Sequence, residues 1–123
     1  MLGMTTTAPA MPDKPWKAFE RECARLIGGT RYAANSGALI DCESSTVVAQ
    51  CKLVKTLSLS ALSDLAETAE RQGAVKWKAG VVAVKVRRGH GRRSPVLVVM
   101  TETVWRQLHG EPEPEPPEPT PTV

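Results

Sequence analysis

Asp41-Cys42-Glu43-Ser44-Ser45-Thr46-Val47-Val48-Ala49-Gln50-Cys51-Lys52-Leu53-Val54 is the stretch on which the rest of the chain is read. Residues 46–54 alternate. Val47, Ala49, Cys51 and Leu53 fall on one face of a strand, all apolar, while Val48, Gln50, Lys52 and Val54 fall on the other. Residues 38–43 form a partner strand, with Ser44-Ser45 as the two-residue turn of a hairpin. That turn sets Asp41 opposite Val48, on the face of Gln50 and Lys52. Gln50 becomes its diagonal neighbour, roughly 7–8 Å away between backbones. A carboxylate and an amide oxygen at that spacing can converge on one hard cation, with Lys52 beside it as a fixed positive charge. Phosphodiester hydrolysis needs these parts. A metal polarises the phosphate and lowers the pKa of a bound water, and a lysine orients that water or stabilises charge developing on the phosphorane. A hairpin with solvent-facing polar residues carries the same pattern.

Outward from the hairpin, Asp13-Lys14-Pro15 opens a helix, since proline is tolerated in the first turn. Trp16, Phe19, Cys23, Leu26 and Ile27 form its apolar stripe, and Gly28-Gly29 stops it. Glu20 lies at one edge of the stripe, and Glu22 lies beyond the other. Residues 31–34 are a candidate strand. Ser58 or Ser60 caps a second helix that buries Leu59, Leu62, Leu65, Ala66 and Ala69 and ends at Gly73. Residues 81–86 and 96–100 are apolar runs of the kind found in central strands buried on both faces. Between them lies a basic loop with Arg87, Arg88, Arg92 and Arg93. Residues 101–108 form a last helix. The expected order, αβββαββα, is an α/β fold with a mixed β-sheet flanked by helices.

The 123 residues suit one domain, spanning residues 14–109 between a disordered leader at 1–13 and an extended, unpacked Glu-Pro tail at 110–123. The net charge of +3 conceals an asymmetry. Residues 111–123 hold four glutamates and no Lys or Arg, so residues 1–110 carry 16 basic against 9 acidic side chains, or +7. A basic folded part suits a polyanion, chiefly nucleic acid. No apolar run of membrane-spanning length is present, and residues 1–12 lack the pattern of a secretory signal. Cys23, Cys42 and Cys51 have no zinc-site spacing and are read as reduced core thiols of a cytoplasmic protein.

The array Glu20, Ser36-Gly37, Asp41, then Gln50-Cys51-Lys52 resembles the PD-(D/E)XK nuclease superfamily, whose core is restriction-endonuclease-like. The local arrangement, with Glu20-Arg21 in the first helix, is most similar to archaeal-type Holliday junction resolvases, and it runs from about Trp16 to Leu108. The resemblance implies Asp41 as principal metal ligand, Gln50 in the second ligand position, Lys52 as catalytic lysine, Glu20 completing the site, and Ser36 near it. The implied metal is magnesium, with manganese as a substitute. Gln50 stands where such resolvases carry glutamate; Mrr-type restriction endonucleases also use Gln-x-Lys. Glu43, on the face of Asp41, is a candidate for the missing charge, or else a solvated turn residue. Phosphate contacts are expected from Arg87, Arg88, Arg92, Arg93, Lys76, Lys78, Lys55 and Arg31. The implied function is endonucleolytic cleavage of branched DNA in recombination or repair by a homodimer, Holliday junctions first. An Mrr-like or general duplex endonuclease and a non-catalytic DNA-binding module are the alternatives. A nuclease of this size suits a phage or mobile element.

Overall fold

In the computed structural model, which describes residues 14–32, 40–89 and 91–110, Pro15 opens helix α1 (Pro15–Ile27) and Gly28 closes it in the left-handed conformation, φ +69°. The following elements are β1 (Thr30–Arg31), β2 (Cys42–Glu43), β3 (Val47–Val54), α2 (Leu59–Val75), β4 (Ala79–Val86), β5 (Val96–Val99) and α3 (Glu102–His109). The strands form one mixed sheet in the order β1-β2-β3-β4-β5. Its pairs are antiparallel except β3–β4, which is parallel over eight residues from Val47↔Ala79 to Val54↔Val86. The α/β class, the mixed sheet and the αβββαββα order are those expected. The leader, Ser36-Gly37, the expected strand residues 33–34 and 38–39, and the tail beyond Gly110 lie outside the described residues. Among the described residues no helix is long and apolar enough to cross a membrane.

A parallel pair needs a crossover, and α2 supplies it on one face of the sheet. Ser58 caps it, its hydroxyl accepting from the Ala61 N–H at 3.1 Å. Ala69 packs with Val82 and Val84, flanked by Val54, Leu62 and Leu65. Gly73 does not end this helix, which continues to Val75. Its role is close packing. A Cβ on Gly73 would lie 2.5 Å from the Lys78 carbonyl oxygen, and one on Gly80 would lie 1.7 Å from that of Ala69. Helix and strand therefore meet backbone to backbone. Leu59, expected inside, is exposed in the first turn.

The opposite face carries α1 and α3. Phe19, Cys23, Ala24 and Val104 pack there against Cys42, Ala49, Val81 and Ala83. Trp16 and Leu26, expected in the buried stripe, are largely exposed. The three thiols converge: Cys42 and Cys51 Sγ are 3.8 Å apart, and contact with Cys23 and Cys42, together with burial, pushes the Cys51 thiol up. All three are free, as core cysteines should be. Of the two apolar runs, β4 is central and buried through Val84, whereas β5 is an edge strand with Leu97 and Val98 about half exposed. Apolar composition records a capacity for burial, and the number of covering helices decides where it is used.

The hairpin turn falls one residue later than expected. Ser44 Oγ accepts from the N–H groups of Thr46 and Val47, which makes Ser45-Thr46 the turn. Pairing moves by two residues, to Glu43↔Val48 and Cys42↔Ala49.

Replacing Gly80 with alanine should lower unfolding free energy by about 3 kcal/mol, because backbone cannot give way as a side chain can. Chemical denaturation measures it; a loss below about 0.5 kcal/mol would mean α2 is free to lift from β4.

Candidate active site

β2 is too short to pair with all of β3, and Asp41 occupies the position just before it. Cys42 pairs with Ala49, yet the Asp41 N–H also donates to the Ala49 carbonyl at 3.0 Å. Two residues thus face one, which is a β-bulge. It turns the Asp41 side chain into the edge of β3, where Oδ2 accepts from the Cys51 N–H at 2.7 Å. A carboxylate replaces the next backbone acceptor of the ladder.

Asp41 therefore does not stand opposite Val48 or share a face with Gln50 and Lys52. It is pinned to the residue between them. Alternation along β3 itself is as expected, with Gln50 on the α2 side, where Nε2 donates to Gln72 Oε1 at 2.9 Å. Lys52, half-buried, makes no ion pair among the described residues.

Glu20 approaches from α1. Its Oε1 accepts from Arg31 Nε and Nη2 at 3.1 and 2.9 Å. Burial raises its pKa, the Arg31 hydrogen bond works against that, and the charge of neighbouring Asp41 raises it further. Glu20 and Asp41 are thus adjacent carboxyl groups from different elements, with the Arg31 guanidinium held on Glu20. Arg31, expected on phosphate, is committed to this contact. Among the described residues no three His, Cys, Asp or Glu side chains cluster as a metal cage. A pair of carboxylates still fits magnesium, which is commonly held by one or two carboxylates, water and substrate phosphate.

Glu43 has a different partner set. Lys76 Nζ reaches its Oε1 at 2.7 Å, and Lys78 and the Tyr32 hydroxyl also donate to it. Those hydrogen bonds lower its pKa to about 2. It is neither a solvated turn residue nor available as a ligand, and Lys76 and Lys78 are tied to it rather than grouped with the basic loop.

The four arginines of that loop are exposed and rim a groove of about 860 Å³ between the start of α1 and the β4–β5 connection. Phe19 and Leu53 line it, and Lys85 pairs across it with Glu22 at 3.0 Å. Lys55 is exposed just after β3. Comparisons of the chain with protein-family models, with curated proteins and with solved structures give no match. The geometry stands alone. Two residues that sequence reasoning missed, Gln72 and Lys85, each had a signal. Gln72 is a polar residue three positions after buried Ala69, and Lys85 is the lone charge in an apolar run.

Glu43→Gln should destabilise the fold by about 1–2 kcal/mol at neutral pH. A carboxyl depressed from 4.5 to about 2 stabilises the fold fully above 4.5, and that contribution is lost as pH falls through about 2. The gap between parent and variant in thermal melts should hold from pH 7 to about 5 and shrink below; a constant gap down to pH 2 would show that charge is not its source.

Proposed function

We propose that this chain is a metal-dependent DNA endonuclease whose cutting centre consists of Asp41, Glu20, Gln50 and Lys52. The observation that carries the reading is the hydrogen bond from Cys51 to Asp41. It anchors one carboxylate at the midpoint of Gln-x-Lys, with a second, Glu20, beside it. Asp41 and Glu20 would hold magnesium or manganese, which when bound supplies positive charge at the phosphate and acidifies water. Lys52, having no acidic partner among the described residues, is available to a phosphate oxygen or to the attacking water. Gln50, on the α2 side of β3 and braced by Gln72, would add no charge beside the Glu20–Asp41 pair, where a third carboxylate would.

The arginine rim supports a polyanionic substrate, since phosphate contacts position DNA without reading its sequence. Branched DNA is the substrate we propose, with the four-way junction first and a homodimer as the cutting unit. The resemblance of the Glu20, Ser36-Gly37, Asp41 array to junction resolvases is the support for it. Duplex endonuclease is the rival reading.

A synthetic four-way junction and a linear duplex, each with magnesium and with chelator, test this. Junction cleavage should require the metal and fall on the order of 100-fold or more in Asp41→Asn and in Lys52→Ala, with circular dichroism unchanged. Full cleavage by both variants would sink the site, and equal cleavage of both substrates would sink the junction preference alone.

A further inference from the structure

The arginine groove holds an unbalanced charge. Its one carboxylate, Glu22, is already paired with Lys85. Arg87, Arg88, Arg92 and Arg93 have no acidic partner among the described residues. The groove is one of three depressions whose linings include successive residues of β4, on the face that carries α1 and α3. Ala79 lies in a depression beside Gln107 and Leu108 of α3. Val81 and Ala83 floor the next depression, almost wholly apolar, with Leu108, Met100 and half-exposed Val98 at its sides. Lys85 then leads to the arginines. The three depressions thus follow one another from the end of α3 to four cations.

The chain itself contains a segment of matching chemistry and length. Residues 111–118 read Glu-Pro-Glu-Pro-Glu-Pro-Pro-Glu. Proline fixes φ beforehand, which reduces the entropy lost on docking. At three residues per turn, Glu115 and Glu118 would share one side of such a segment, for cations, and Pro114 and Pro117 another, for an apolar floor. From Ala79 to Val86 the strand spans about 23 Å. From Gly110 to Glu118, at polyproline rise, the chain spans about 25 Å. Glu111 and Glu113 are too close to α3 to reach the rim, whereas Glu118, with Glu115 behind it, is long enough to meet the outstretched arginines.

We infer that residues 111–118 dock along this row of depressions, setting Glu115 and Glu118 against the arginine rim, and that nucleic acid must displace them. The segment is an internal competitor for the phosphate-binding groove. The inference rests on the nuclease reading only in taking the displaced polyanion to be DNA.

Two full-length double variants separate docking from general charge repulsion: Glu115→Gln/Glu118→Gln and Glu111→Gln/Glu113→Gln, which remove equal charge at different reach. The first should bind a duplex oligonucleotide on the order of 10-fold more tightly at low salt, a gain that fades as screening grows. The second should change affinity by less than about 2-fold. In NMR spectra without DNA, the Val98 methyl and the Arg87 and Arg92 Nε–Hε signals should shift in the first variant only, independently of protein concentration. Equal gains from both pairs, unshifted groove signals, or shifts that grow with concentration would overturn the proposal. None of these readouts involves cleavage. A chain that shows the shifts but cuts nothing would refute the nuclease alone, and one that cuts without them would refute the docking alone.

Discussion

The parallel pairing of β3 with β4 constrains everything around it. Eight consecutive residues of each strand are in register, and their connection must leave the sheet, cross one face and return. α2 makes that crossing so closely that Gly80 has no room for a Cβ. With α2 committed to one face, the small apolar side chains of the other, Ala49, Val81 and Ala83, are left for α1 and α3. β5, at the edge of the sheet, is left with Leu97 and Val98 about half exposed.

The candidate site lies where this order runs out. Among the described residues β3 continues past the end of β2, and the bulge at Asp41 sets a carboxylate against the Cys51 N–H there. Unsatisfied ladder positions at a sheet edge are costly when shielded from water. The hydrogen bond to Cys51 therefore stabilises the strand and fixes the carboxylate in one act. Charges nearby are sorted into separate groups. Glu20 takes Arg31, Glu43 takes Lys76 and Lys78, and Glu22 takes Lys85. Lys52 and the arginine rim have no acidic partner among the described residues, which leaves them open to a phosphate backbone.

Much of the fold was legible in the sequence. Period-2 alternation in β3, helical spacing after Pro15 and the serine before α2 each act over a few residues, and local signals of that kind survive into the structure. Misreadings came where distant parts decide. Gly73 looks like a helix stop until Gly80 lies against it. Leu97 and Val98 look like core until no helix covers them. The turn slipped by one residue because a single hydroxyl, that of Ser44, accepts two backbone N–H groups.

By itself the sequence determined the element order, the alternation that sends Gln50 and Lys52 to one face, and the uneven division of charge between residues 1–110 and 111–123. These depend on composition and on short-range periodicity. Only the tertiary structure decided that Asp41 sits at Cys51 beside Glu20, that Glu43 is consumed by two lysines, and that the arginines rim a groove against the start of α1. Each of these depends on pairing register or on side chains far apart in the chain, and the energy of such contacts exists only once the backbone has brought them together.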